Sequence, residues 1–281
     1  MKTAREHFAE PRNTASVLLS VEGLSVHFAG VHALSEVSFQ VLPGELFAVI
    51  GPNGAGKTSL FNVLSRVYQP SAGHVVFNGY DLLRLKTHQI ARAGIARTFQ
   101  NLGQFPSMSV LDYLLLGRHT RMRSGILSGG LFLGPTRQEE RKNRAYCLHV
   151  LDLLDLTRLH TLPLGSLPHG LQKRVDLARA LAMEPVLLLL DEPVAGMSSE
   201  ETEEVAEIMT EVKEQLGVTQ ILVEHDMAMV MAIADRVLVL DFGRAIAQGS
   251  PAEVQANPDV IKAYLGETFG ETATISTESS H

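Results

Sequence analysis

Nowhere does the chain assemble an apolar run near the roughly 18–20 residues that a bilayer-crossing helix requires. The longest obvious runs, Leu46–Ile50 and Val186–Leu190, have the length of strands. A role at a membrane therefore passes through a partner protein. Cysteine is nearly absent: Cys147 stands alone, so no internal disulfide forms, and no neighbouring ligands gather around it for a metal. That usage fits a reducing compartment, with Cys147 expected as a half-buried helix residue. Positive charge is also in short supply. Against 31 Asp and Glu stand 24 Lys and Arg, a formal net charge of −7. This balance argues against nonspecific nucleic-acid binding and against membrane attachment through a basic surface. Residues 1–16 mix charged and helix-breaking types without a continuous apolar core, so they do not read as a secretory signal, and the chain is expected in the cytosol. These residues and the Thr-, Ser- and Glu-rich end, 266–281, lack apolar periodicity and read as disordered. No internal repeat is found.

What remains is ample for a core: 281 residues, 45% of them hydrophobic. Val17–Val21, Leu24–Phe28, Val37–Val41 and Leu46–Ile50 read as strands, the last after the Pro43-Gly44 turn. Ser59, Leu60, Val63, Leu64 and Val67 recur at helical spacing, and Gly73–Phe77 returns to a strand. Long helical patterns cover residues 108–116 and 137–156 around a Gly-rich stretch, Ser124–Gly134, and a third helix begins near Gly170. Two buried strands, Val186–Leu190 and Gln220–Val223, flank an acidic helix, Glu200–Leu216; this alternation predicts a parallel sheet. Arg236–Asp241 and Ala245–Gln248 read as a hairpin turning at Phe242-Gly243.

Between a buried strand and a helix lies Gly51-Pro52-Asn53-Gly54-Ala55-Gly56-Lys57-Thr58, with Ser59 next, which matches the G-x-x-x-x-G-K-[ST] phosphate loop. The glycines let backbone N–H groups turn toward phosphate oxygens, and the following helix adds its positive end. Lys57 neutralises β/γ charge, and Thr58 offers a hydroxyl to Mg²⁺. A second motif ends an apolar strand in carboxylates: Val186–Leu190, then Asp191-Glu192-Pro193. Asp191 is placed to hold Mg²⁺ through its water shell and Glu192 to polarise a water attacking the γ-phosphate. Taken alone, this pair also fits a helix entry with acidic neighbours.

With both motifs in hand, the chain resembles the ATP-binding-cassette ATPases over roughly residues 17–265. The resemblance implies an α/β fold: a P-loop NTPase, RecA-like core with a parallel sheet, an N-terminal antiparallel β subdomain, and an inserted α-helical subdomain at about residues 101–178. It implies ATP and Mg²⁺ as ligands. Thr98-Phe99-Gln100 looks like the family's Q-loop, so Gln100 is expected at Mg²⁺ or the attacking water. Val223-Glu224-His225-Asp226 looks like the switch segment, with His225 at the γ-phosphate, 34 residues after Asp191. Phe28 stands where the family has an adenine-stacking aromatic, although a strand Phe is more often core. The signature, which caps nucleotide on the opposite subunit, maps onto Leu167-Pro168-His169-Gly170. Here the sequence departs from Leu-Ser-Gly-Gly-Gln, and Pro168 brings neither hydroxyl nor N–H. Leu127-Ser128-Gly129-Gly130 spells the motif better but lies too far from Asp191 and opens no helix, so it reads as a loop of the insert. Ala195-Gly196-Met197-Ser198 is similar to the family's D-loop.

Arg97–Asn101, Glu224–Met227 and Asn257–Gly266 together look like the ATPase subunits of branched-chain, or hydrophobic, amino acid importers. Partners implied by this branch are a second, different ATPase subunit in preference to a copy of this chain, transmembrane permeases, and indirectly an external solute-binding protein. The expected location is the cytoplasmic face of the inner membrane, peripheral through the permeases, with no nucleic acid. A urea or short-chain amide importer of the same branch, and a regulatory ATP-binding protein outside transport, stay open as alternatives. Phe105, Met108, Val110, Leu111 and Tyr113 are candidates for a permease-receiving groove or, equally, for the insert's own core.

Overall fold

The structure, a computed structural model, describes residues 17–28, 30–99, 105–121 and 134–264. The chain divides into two compact units. One holds the described residues up to Thr87 and those from Thr219 onward, and the other holds His88–Val218.

The first unit opens with β1 (Leu19–Phe28), β2 (Val31–Val41) and β3 (Leu46–Ile50). The helix α1 (Lys57–Leu64) follows, then β4 (Ala72–Phe77) and β5 (Tyr80–Asp81). Strands β2-β1-β4-β5 form an antiparallel sheet in that order. In β2, Val37, Phe39 and Val41 are buried while Ser38 and Gln40 face out, the alternation expected of a sheet packed on one side. The sequence reading divided residues 17–28 into two strands, but the structure makes one. Gly23, at φ 58°, absorbs the break as a bulge: the register shifts between Val21 and Leu24 on β2, and the Gly23 N–H donates to Ser38 Oγ at 2.8 Å. Gly73 makes this close approach possible, since a Cβ there would sit 2.6 Å from the Gly23 carbonyl oxygen.

The second unit runs through α2 (Thr87–Ala93), which begins at the boundary, β6 (Ile95–Arg97), α3 (Val110–Arg118) and α4 (Gly134–Leu153). It continues with α5 (His169–Ala182), β7 (Leu187–Asp191) and α6 (Ser199–Leu216). Strands β6 and β7 are parallel, with Arg97 beside Leu189. Ser109 caps α3 by accepting from the Asp112 N–H, and α6 starts with a full capping box between Ser198 and Glu201 and stops at Gly217, φ 62°. Helices α3 and α5 pack closely because Gly117 has no side chain; a Cβ there would lie 2.9 Å from the Arg179 carbonyl oxygen. Buried Arg118 ties three helices together, donating to Asn143 Oδ1 at 2.8 Å, the Ala182 carbonyl at 2.9 Å and Glu184 at 3.0 Å. Val110, Leu111 and Tyr113 are buried, so for these three the structure supports the core alternative. Cys147 is fully buried in α4 rather than half-buried.

The chain returns to the first unit as β8 (Thr219–Val223), α7 (Met227–Ile233), β9 (Arg236–Asp241), β10 (Arg244–Gly249) and α8 (Pro251–Gln255), with residues 258–264 helical. Strand β3 lies between β8 and β9, parallel to both, and every residue of β3 and β8 is buried. That is why β3 reads as an unbroken apolar run, and β8 as one from Ile221 to Val223 after the buried polar pair Thr219-Gln220. The β9–β10 hairpin turns through Phe242 at φ 41° and Gly243 at φ 77°, as a two-residue turn between twisted strands requires. The short helices α2, α7 and α8 escaped the sequence reading, because each spans less than the window in which helical periodicity shows.

Buried Glu45 closes the entry to β3. It accepts from the Leu42 N–H at 2.6 Å and from Arg236 at 2.5 and 2.9 Å, and the Glu45 carbonyl takes the Gln220 N–H at 2.8 Å. Glu45→Ala removes the carboxylate that takes the Leu42 N–H and the Arg236 guanidinium, while the backbone bond from Gln220 stays, and is expected to lower unfolding stability by about 2 kcal/mol, measured in urea. Burial pushes the Cys147 thiol up to about 11, so it stays protonated at pH 8. It is expected to ignore Ellman's reagent in the native protein and to titrate as one thiol in guanidinium.

Candidate functional site

At the carboxyl end of β3 the chain turns sharply at Gly51, φ 148°. A Cβ at Gly51 would lie 2.0 Å from the Leu240 carbonyl oxygen, and one at Gly56, φ 104°, would lie 2.5 Å from the Ala33 carbonyl oxygen. Both glycines are fixed by backbone on the neighbouring strands, not by composition. Gly56 is the N-cap of α1 and brings no side-chain cap, which leaves the first amides of the helix facing the loop. Lys57 is 6% exposed and folds back over the loop, its ammonium donating to the carbonyls of Gly51 at 2.5 Å and Pro52 at 2.9 Å. Pro52 and Ala55 are buried, whereas Asn53, Gly54 and Thr58 are exposed and Ser59 is half-buried.

The parallel neighbour β8 ends at the same edge. Val49 pairs with Val223, so Gly51 and His225 each lie two residues beyond a paired position, at the strand ends where open α/β sheets bind ligands. His225 is exposed; its backbone N–H donates to Glu224 Oε2 at 2.8 Å, and Asp226 caps α7. Phe28 is 43% exposed at the end of β1, with its ring edge against Tyr68 at 4.9 Å, so it is not a core residue.

The second unit carries the carboxylates. Asp191 ends β7 at 3% exposure; its Oδ2 takes Arg97 at 2.7 Å and its N–H donates to Thr98 Oγ1 at 3.1 Å. Its other oxygen, Oδ1, is buried with no hydrogen-bond partner. A buried carboxylate oxygen left unmatched is costly, and a cation's water shell is a fitting partner for it. Within the second unit, the Asp191 carboxylate therefore fits the water shell of Mg²⁺; within the first, the Thr58 hydroxyl is exposed and free to serve as a hard oxygen donor. Glu192 takes up φ 50°, a region non-glycine residues rarely visit, and the ammonium of Lys173 donates to its carbonyl at 2.5 Å. Gln100 lies outside the described residues, as does Leu127–Gly130. Its stem is described: the Phe99 N–H donates to Asp176 at 2.5 Å, and the Arg179 guanidinium lies 4.4 Å from the Phe99 ring centre. Asp176 also accepts from Tyr113 at 2.9 Å and Arg179 at 2.7 Å; burial, then the Asp176 charge, pushes the Tyr113 hydroxyl far up.

Leu167 is buried, Pro168 caps α5 without a side-chain bond, and exposed His169 opens that helix. Gly170 is buried against α6: a Cβ there would sit 2.6 Å from Glu201 Oε1. A side chain at Gly170 would thus have to push aside the Glu201 carboxylate that closes the α6 capping box.

A family model described as ABC transporter matches residues 34–195, and one described as branched-chain amino acid ATP-binding cassette transporter matches residues 246–270. The high-affinity branched-chain amino acid transport ATP-binding protein BraF of Pseudomonas aeruginosa is 39% identical over 251 residues, covering 89% of this chain and 98% of the relative. The chain belongs to the ABC transporter ATP-binding family. LivG of Escherichia coli K12, named for the same transport, is 38% identical over 250 residues, with 89% and 98% covered. The ADP conformation of another ABC transporter cassette aligns with a TM-score of 0.78 at 28% identity, covering 90% of this chain and 100% of that one. The α/β P-loop NTPase fold with an antiparallel β subdomain follows, and so does the activity class: cassettes of this family bind nucleotide and are ATPases coupled to transport. Among the described residues, no helix of the cassette is long and apolar enough to cross a membrane.

Sequence reasoning missed Arg97, Lys173, Asp176 and Arg179. The last two carried a signal: an Asp and an Arg three apart in an apolar helical run, Val175–Ala182, are positioned to pair. The loop geometry yields a contrast. Gly51→Ala meets a backbone oxygen, whereas a Cβ at Gly54 meets nothing within 4 Å and costs only its φ of 78°. Gly51→Ala is expected to weaken ADP binding at least about tenfold more than Gly54→Ala, measured by calorimetric titration.

Proposed function

We propose that the chain is the ATP-hydrolysing subunit of an importer for branched-chain or other hydrophobic amino acids. The observation that carries the solute class is the match of residues 246–270 to the branched-chain amino acid cassette model, a segment outside the general cassette match. In this reading the chain works at the cytoplasmic face of the membrane through permease subunits, opposite a second, different ATPase subunit. Pro168 supports the unlike partner. A signature without the serine hydroxyl and with a proline nitrogen caps nucleotide poorly, and a different subunit supplies the signature for the site at Gly51–Ser59.

The residues then take these roles. Backbone amides of Gly51–Gly56 and the α1 N-terminus hold the phosphates, Lys57 carries the balancing charge, and Phe28 offers its exposed ring to the adenine. Bound Mg²⁺ supplies charge neutralisation at the phosphates, with Thr58, Gln100 and Asp191 around it, Asp191 through water. Glu192 accepts the proton of the attacking water, and His225 hydrogen-bonds the γ-phosphate and orients that water. Leu167, Pro168, His169 and Gly170 face the nucleotide of the partner. Binding closes the two ATPase subunits and hydrolysis reopens them, so the chemical energy acts through differing affinity for the two states.

The full chain, mixed with its partner ATPase subunit, is expected to hydrolyse Mg²⁺-ATP. Glu192→Gln is expected to cut the rate by about 100-fold or more with ATP binding retained. Vesicles holding the whole transporter are expected to take up leucine and not urea. Tight ATP binding without turnover in every combination would support the regulatory alternative, and urea uptake would reassign the solute.

A further inference from the structure

Glu192 holds its backbone where side-chain-bearing residues rarely go, at φ 50°, immediately before Pro193. Such a conformation persists only where its surroundings impose it, and a contact from α5 bears on it directly. Lys173 donates to the Glu192 carbonyl at 2.5 Å, the same carbonyl that receives the Ala195 N–H at 3.4 Å and so starts the turn into α6. The ring of His169, one helical turn before Lys173 and on the same face of α5, lies on the side of Gly196 where a Cβ would point, 3.8 Å from that position. The N-terminal part of α5 thus lies against residues 192–196 and bonds to the Glu192 carbonyl. Lys173 and Glu192 are both half-buried, and with Asp191, Asp176, Thr98 and Phe99 they line one small cavity.

We propose that Lys173 is a positioning residue for hydrolysis, its ammonium fixing the strained backbone of Glu192 so that the carboxylate points at the attacking water. The proposal rests on the reading of Glu192 as the proton acceptor. It gives α5 two duties. The helix whose start carries the signature for the opposite nucleotide also sets the base in its own subunit, so a rotation of α5 alters both sites together. Lys173 touches no nucleotide in this scheme, and its loss acts on turnover and not on binding.

The test uses the full chain with its partner ATPase subunit and Mg²⁺-ATP as the probe, comparing Lys173→Met, Lys173→Gln, Lys173→Arg and Glu192→Gln. Lys173→Met is expected to lower kcat by about 10- to 100-fold with KM nearly unchanged, as a displaced catalytic group does. Lys173→Arg is expected to restore most of the rate, and Lys173→Gln, a shorter donor that stands in if the Met variant folds poorly, to fall between. Hydrogen exchange over residues 187–197, which reads the turn without any turnover, is expected to quicken in Lys173→Met and not in Lys173→Arg. Parental kcat together with unchanged exchange in Lys173→Met and Lys173→Gln overturns the proposal, as does a rise in KM that accounts for the whole loss. Parental turnover by Glu192→Gln overturns the proton-acceptor reading itself, and the proposal falls with it while the exchange data show whether Lys173 still holds the turn.

Discussion

The structure depends first on the absence of a Cβ at Gly51. The strand β3 must end, reverse and deliver a helix N-terminus within a few residues, and the Leu240 carbonyl oxygen occupies the place a side chain would take, 2.0 Å from it. Because β9 supplies that carbonyl, the phosphate loop is shaped by the sheet beside it, and the buried apolar faces of β3, β8 and β9 become a condition of the loop's geometry. The core thereby acts as more than ballast: its packing decides where the backbone amides can point.

The two units resolve the same problem in parallel terms. In one, β3 and β8 bring Gly51 and His225 to adjacent strand ends; in the other, β6 and β7 bring the stem of Gln100 and the Asp191–Glu192 pair to theirs. In each unit the polar residues follow a run of strand that is buried or nearly so, which supplies the rigidity a positioned side chain needs. In the second unit a buried carboxylate ties the strand end to the helices. Asp176 accepts from helix α3, from its own helix and from the backbone of Phe99, so the residue before Gln100 is held through a buried carboxylate.

Much of this was legible in the sequence where a rule couples residue type to backbone form. The glycine loop, the strand ending in Asp191, the hairpin at Phe242-Gly243 and the start of α5 near Gly170 follow from periodicity and turn chemistry. The join of β1 through Gly23 was not, because a glycine inside a strand pattern reads equally as a turn or a bulge, and only Gly73 and Ser38 on neighbouring strands decide it. Nor were the roles of Arg97 and Lys173. Each contacts a residue far along the chain, Asp191 and Glu192, and a lone basic residue on a strand or helix end is ordinarily a solvated one. Pro168 was visible as a departure, yet the structure adds what the letters do not show, that it sits as the cap of α5 with ordinary extended geometry and leaves the helix intact.

Lys57 gives the phosphate loop a property of its own. With its ammonium shared between two carbonyls of the loop, the cation is solvated from within, and a phosphate at this position competes with those carbonyls for its N–H donors. A polyphosphate that engages the α1 amides as well as Lys57 offsets that competition better than a lone small anion does, so the loop's geometry favours ligands long enough to make both contacts.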